Sequence, residues 1–196
     1  NNVSKDYIIK EVSLADLVRQ VIKRNSRDFI SKGISIDIEA VEGTVYSDAK
    51  WLEFILNQLV GNATKYIKER DGKVTISTTI KEHSIVLTIE DNGIGMSESF
   101  LPHIFEDFSR ERTSTESKIT GTGLGMPIVK KFIDLMNGKI TIKSKLGFGT
   151  KITFTITHKK AINETKNDSS TINTVNINQF HNKRILLAED NEFKAE

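Results

Sequence analysis

The chain has 196 residues, 37% of them hydrophobic and 28% charged, with a formal net charge of +2. Those proportions suit one globular domain with an extension, and so small a charge argues against a nucleic acid or an anionic membrane as partner. The lack of cysteine rules out disulfides and thiolate chemistry, and no apolar run approaches the ~20 residues of a membrane span.

Residues 1–12 carry little pattern. From Ser13 onward, Leu14, Leu17, Val18, Val21 and Ile22 share one helical face, with Phe29 near its end. Ser13 stands where an N-cap belongs, Asp16 follows it as in a capping box, and Gly33 stops the helix. ISIDIEA (34–40) alternates with the period of a half-buried strand, and a shorter strand is centred on Val45. Ser47-Asp48 then caps a second helix, whose apolar stripe is Leu52, Ile55, Leu56, Leu59, Val60, Ala63 and Ile67. Burying each of the larger members contributes roughly 1.5–3 kcal/mol, which makes this helix core. Gln58, Asn62, Lys65 and Tyr66 lie on the adjacent stripe. Asp71-Gly72 turns the chain into KVTISTTI (73–80) and SIVLTIED (84–91), read as a hairpin around Glu82-His83. SRERTSTESKIT (109–120) is polar and reads as a loop. A helix over 124–136 is expected to bury Leu124, Ile128, Phe132, Leu135 and Met136, with Pro127 in its first turn and Asn137-Gly138 at its end. KITIKSK (139–145) and TKITFTIT (150–157) form a second hairpin, turned by residues 146–149. Past His158 the chain becomes rich in Asn, Thr, Ser and Lys, a linker composition, before RILLAEDNE (184–192) resumes a buried-strand pattern. The expected fold is an α/β two-layer sandwich, with helices on one face of a mixed, mostly antiparallel sheet.

Four stretches carry chemistry. NQLVGNATKY (57–66) sets two carboxamides, an ammonium and a phenol beside the stripe of a core helix, a set that can hold a hydrated metal and a phosphate. DNGIGM (91–96) puts a carboxylate at a strand end, followed by glycines that let backbone approach a ligand. LPHIFEDFSR (101–110) joins two phenylalanines to Arg110. GTGLGMPIVKK (121–131) feeds a flexible loop into a helix N-terminus, whose free N–H groups and positive dipole end attract phosphate.

In order and spacing these stretches resemble the N, G1, F and G2 boxes of the catalytic ATP-binding domain of sensor histidine kinases. That domain shares the Bergerat-type fold of the DNA gyrase and heat-shock chaperone ATPases. The resemblance covers about residues 8–158, with NATKY, DNGIGM and GTGLG nearly letter-perfect. It implies ATP and Mg²⁺ as ligands. Asn62, with Gln58 beside it, would bind the metal; Lys65 would pair with phosphate, and Tyr66 would pack by the nucleotide. Asp91 would accept a hydrogen bond from the adenine amino group. Gly93 and Gly95 would give the base room, Ile94 and Met96 would line its pocket, and Thr150 would complete it. Phe105 and Phe108 would brace a lid hinged at Gly121, Gly123 and Gly125, with Thr122 and Leu124 in the same stretch. Arg110 would reach the γ-phosphate, so that Gln58, Asn62, Lys65 and Arg110 make up the catalytic set.

One position departs from the family pattern. The first N-box residue is usually Asn or an acid, and here it is Gln58. Gln cannot act as a base, so water activation at this position is not expected. Transfer to a histidine does not obviously need a base there, because phosphoryl transfer relies chiefly on positioning and charge stabilisation. His83, His103, His158 and His181 all lack the helical acidic–basic setting of a phosphoacceptor, so the acceptor is expected outside this chain.

The expected organisation is therefore residues 1–12 as the tail of a helical dimerisation and phosphoacceptor domain, 13–158 as the catalytic domain, 159–183 as a linker, and 184–196 as the start of a receiver domain with the acidic pair Glu189-Asp190. The parent would be a homodimeric hybrid sensor histidine kinase of a two-component system. Its partners would be its own phosphoacceptor domain and a receiver domain or response regulator. The catalytic domain would be cytoplasmic, with membrane anchoring of the parent left open. The alternative is a nucleotide-binding regulatory module without kinase activity, for which Gln58 is the argument. A free-standing ATPase or serine kinase of the same fold group is a third reading, opposed by the receiver-like tail and by the lack of a base at position 58.

Overall fold

The first helix starts where its cap places it. In the computed structural model, which describes residues 8–68, 70–81, 83–111 and 121–157, the Ser13 hydroxyl accepts the Asp16 N–H at 3.3 Å and opens α1 (Leu14–Ser31). Gly33, at φ +61°, ends it: its N–H reaches Ile30 O, and the Ile34 N–H reaches Phe29 O at 2.9 Å. That pair of bonds is the Schellman closure, which needs a residue in the left-handed region. Asp48 caps α2 (Ala49–Lys65) by accepting the N–H groups of Lys50 (2.9 Å) and Trp51 (3.1 Å). The expected α2 stripe from Leu52 to Ala63 is buried, and Ile67 packs partly buried against it.

Two sheets form. In the smaller, β1 (Lys10–Ser13) pairs antiparallel with β3 (Thr44–Ser47). Lys10, Glu11 and Val12 are thus part of a strand in this domain, through a pairing too distant in sequence for local pattern to reveal. The larger sheet has the order β2 (Ser35–Glu39), β4 (Lys73–Ile80), β5 (Ser84–Asp91), β7 (Gly149–Thr157), β6 (Lys139–Lys145). Only β2–β4 is parallel; its crossover runs through β3 and α2. Period-two alternation then sorts the two faces. Val74, Ile76, Ile85, Leu87, Ile89, Ile152, Phe154 and Ile156 are buried, while the alternate positions are mostly threonine, serine and charged residues. The helices cover the apolar face, so the fold is the expected mixed two-layer sandwich.

The last helix, α3 (Gly125–Leu135), corrects the expected stripe. Its buried residues are Met126, Val129 and Ile133, with Met136 just past its end, whereas Ile128 is 38% and Leu135 48% exposed. The sequence here is apolar on two sides. Phe132 turns sideways onto α2, stacking on Trp51 at 4.9 Å and meeting Phe54 edge-on at 5.1 Å. The neighbouring stripe therefore faces the sheet. Asn137, at φ +52°, closes the helix as expected, with the Gly138 N–H on Ile133 O at 2.8 Å.

The polar stretch 112–120, the linker 159–183, the receiver-like residues 184–196 and residues 1–7 lie outside the described residues.

Candidate functional site

Asp91 is the last member of an inward row. Ile85, Leu87 and Ile89 precede it on the same face of β5, and its register partners are Val74 and Thr150. A carboxylate thus stands where the alternation calls for an apolar side chain. Its Oδ1 accepts the Gly93 N–H at 2.8 Å and the Thr150 N–H at 3.3 Å. Burial nevertheless outweighs those bonds and raises the carboxyl from 3.8 to about 6, with a small push from Glu90. Oδ2 takes no hydrogen bond among the described residues.

The loop after Asp91 is pinned from two sides. The Ile94 N–H bonds Tyr66 O at 2.9 Å, which ties the loop to the end of α2. The Gly147 N–H bonds Ile94 O at 2.7 Å, which ties it to the β6–β7 turn. Gly95 lies at φ +66°, and a Cβ there would run into the Lys145 carbonyl. No other residue fits that approach.

A cavity of about 240 Å³ opens between α2, the end of the sheet and the start of α3. Of the expected site residues, Gln58, Asn62, Lys65, Tyr66, Asp91, Ile94, Gly95, Met96, Arg110, Gly121, Thr122, Gly123, Gly125 and Thr150 line it. Gly93, Phe105, Phe108 and Leu124 do not. Gly93 sits behind Asp91, with no room for a side chain against the Tyr66 carbonyl. Phe105 packs partly buried against the core, and Phe108 is 70% exposed at φ +62°. The Phe108 backbone still meets the glycine loop: a Cβ on Gly123, itself at φ +74°, would stand 2.7 Å from the Phe108 carbonyl carbon.

The wall also holds residues to which the sequence assigned no site role: Leu59, Ala63, Ile89, Phe100, Ile104, Ser109, Glu111, Met126 and Ile152. Leu59, Ile89 and Ile152 are core residues whose edges form the floor. Their signal in the sequence was adjacency on the same helix or strand face to Asn62, Asp91 and Thr150.

Across the cavity, the polar stripe of α2 faces the glycine loop. A Cβ on Gly125 would lie 2.7 Å from Gln58 Oε1, and one on Gly121 would collide with Lys65 Nζ. Lys65 Nζ is 5.0 Å from the centroid of the Tyr66 ring. Leu124, the N-cap of α3, supplies no side-chain cap. Unlike α1 and α2, α3 therefore leaves its first-turn N–H groups, at Gly125 and Met126 on the cavity wall, without a side-chain acceptor among the described residues. The arrangement offers a buried acceptor at one end and an anion-attracting helix terminus with two carboxamides and a lysine at the other.

The family described as histidine kinase-, DNA gyrase B- and HSP90-like ATPase matches residues 47–160, from the start of α2 past the end of β7. The chain belongs to this ATPase family. Sensor histidine kinase YxdK of Bacillus subtilis is 29% identical, over 79% of this chain and 48% of its own length. Sensor protein BceS of Halalkalibacterium halodurans is 33% identical, over 81% and 46%. Sensor protein kinase GraS of Staphylococcus aureus is 34% identical, over 76% and 42%. The chain spans a little under half the length of these curated relatives. Full-length ShkA in complex with AMPPNP superposes on it with a TM-score of 0.70 at 27% identity, over 81% of this chain and 33% of that one. The nucleotide-free catalytic domain of histidine kinase ThkA superposes at 0.66 and 24% identity, over 78% and 99%, a likeness that carries the fold alone. This is the ATP-binding domain type of sensor histidine kinases. Among the described residues no helix is long and apolar enough to cross a membrane.

Proposed function

We propose that the cavity binds Mg·ATP and that the domain hands the γ-phosphoryl group to a histidine of a phosphoacceptor domain outside this chain. The observation that carries the proposal is the convergence of Asp91, the α2 polar stripe and the uncapped start of α3 on one cavity. Asp91 Oδ2 is the acceptor for the adenine amino group, while Ile94 and Met96 flank the base. The phosphates lie toward Lys65, Arg110 and the N–H groups of Gly125 and Met126, which offset their charge. Magnesium, when bound, supplies further positive charge against the phosphates; the carboxamide oxygens of Asn62 and Gln58 are the side chains to hold it. That hard, sparse donor set fits a cation that keeps several waters. Among the described residues no three of His, Cys, Asp and Glu cluster as a metal cage.

In the transfer the P–O bond to ADP breaks, an N–P bond forms on the acceptor imidazole, and the imidazole proton leaves. With Gln58 in place of a base, water is not activated at that position, which favours transfer over hydrolysis. The glycine loop opens to release ADP. The receiver-like residues 184–192 support a hybrid sensor kinase as the parent, and the resemblance to sensor histidine kinases supports a homodimer.

The test supplies the parent's phosphoacceptor hairpin and γ-labelled ATP to the 196-residue chain. Acid-labile label should appear on the hairpin, and Asn62→Ala should abolish it while leaving the melting curve in place. Transfer at the wild-type rate by Asn62→Ala would remove the residue from the metal site. ATP binding without any label on the hairpin would return the domain to a regulatory nucleotide-binding module.

A further inference from the structure

The turn between β6 and β7 carries two large apolar side chains into solvent. Leu146 is 52% and Phe148 72% exposed. The turn itself does not ask for them. Gly147 and Gly149 lie at φ +81° and +99°, and a Cβ on Gly149 would collide with the Asp91 carbonyl. Backbone geometry thus fixes positions 147 and 149. Positions 146 and 148 are under no such demand, and polar residues would serve a turn as well. The turn is also held in place. The Phe148 N–H bonds Lys145 O at 2.9 Å, the Gly147 N–H bonds Ile94 O at 2.7 Å, and the Lys68 ammonium donates to Gly147 O.

Cations surround the apolar pair. Lys145 Nζ stands 4.7 Å from the centroid of the Phe148 ring. Lys143 shares with Lys145 the exposed positions of β6, and Lys68 reaches the turn from the end of α2. None of these three forms an ion pair among the described residues, whereas Lys151, the register partner of Lys143, is paired with Glu90. The chain's net charge of +2 averages over this local concentration. An apolar pair rimmed by unpaired cations marks a contact surface.

Shape and charge then choose the occupant. A stable protein partner needs about 800 Å² of matched surface on each side, and a convex turn bearing two side chains offers a small part of that. A lipid interface needs no matched shape. Affinity there grows with the apolar area inserted and with each lysine near anionic headgroups, and lysine stems can lie along the apolar pair with their charges in the headgroup layer. We propose that the β6–β7 turn is a membrane-contact site: Leu146 and Phe148 enter the interface of an anionic bilayer, and Lys68, Lys143 and Lys145 lie against its headgroups. Neither Leu146 nor Phe148 lines the nucleotide cavity, and the inference is independent of the ATP reading.

The test sediments the full chain with vesicles of phosphatidylcholine alone and of phosphatidylcholine with about one third phosphatidylglycerol. The wild-type chain should pellet with the anionic vesicles, stay in solution with the neutral ones, and be released at about 1 M salt. Leu146→Ser combined with Phe148→Ser should lower the partition by about tenfold or more. Lys143→Gln should lower it about fivefold, the effect of one lysine near an anionic surface. Both variants should keep the wild-type melting curve and ATP affinity. Wild-type chain left in the supernatant of both vesicles would overturn the proposal. So would equal pelleting of the Leu146→Ser, Phe148→Ser variant, which would put the adhesion elsewhere in the chain. Retention of the wild type but not of that variant on immobilised polyglutamate, without vesicle binding, would also overturn it and give the turn to an acidic protein.

Discussion

Asp91 is buried because its strand alternates, and it is functional for the same reason. A row that begins Ile85, Leu87, Ile89 delivers the next inward side chain to the cavity, and that side chain is an acid. Its carboxyl is raised from 3.8 to about 6, mainly by burial. An acid raised on folding stabilises the fold fully below its unfolded pKa, and that stability is lost as pH rises through the folded value. The loss here is on the order of 3 kcal/mol, complete above about pH 6. Asp91→Asn should therefore unfold at higher urea concentration than wild type at pH 8 and at nearly the same concentration at pH 4. The same variant keeps an oxygen for the Gly93 and Thr150 N–H groups, which leaves its NH₂ facing the cavity, where the adenine amino group also donates. Its ATP affinity should fall at least tenfold, about 1.4 kcal/mol or more, by calorimetry. Unchanged affinity would remove Asp91 from the base site. DNGIGM was legible as a ligand loop, but the depth of the acid and the use of only one of its oxygens were not, because both depend on β7 and on the end of α2.

At the scale of elements, caps were the most readable features. Ser13, Asp48, Gly33 and Asn137 act within a few residues of themselves, so local sequence suffices. Gly33 lies at φ +61° with nothing within 4 Å of a Cβ, so Gly33→Ala meets a conformational cost and no clash. It should destabilise the domain by about 1 kcal/mol, read by urea unfolding, with ATP affinity unchanged. Gly123→Ala differs, because its Cβ would press on the Phe108 backbone at 2.7 Å beside the cavity; there the loss should appear in ATP affinity as well. The buried face of α3 was the least readable. Ile128 and Leu135 fit a helical period as well as Val129 and Ile133 do, and what decided between the stripes was the presence of Trp51 and Phe54 on α2, which drew Phe132 to their side.

At the scale of the molecule, ligand binding and folding share the same parts. The floor of the cavity is core, and its walls come from α2, α3 and the sheet. Mg·ATP should therefore stabilise the folded state by mass action, by about 2.7 kcal/mol at a hundred times its Kd. A thermal melt checks this, and a melting point indifferent to saturating Mg·ATP would contradict the assigned pocket.

The sequence by itself determined the element types, their caps, the mixed sandwich and the motifs that mark the ATPase family, because periodicity and capping are local. Tertiary structure decided that Lys10–Ser13 joins a sheet, which stripe of α3 is buried, that Phe108 stays off the cavity wall, and that the turn at Gly147 is pinned to Ile94. Each of these depends on which distant backbone or side chain arrives next to it, and only the closed fold brings those partners within bonding distance.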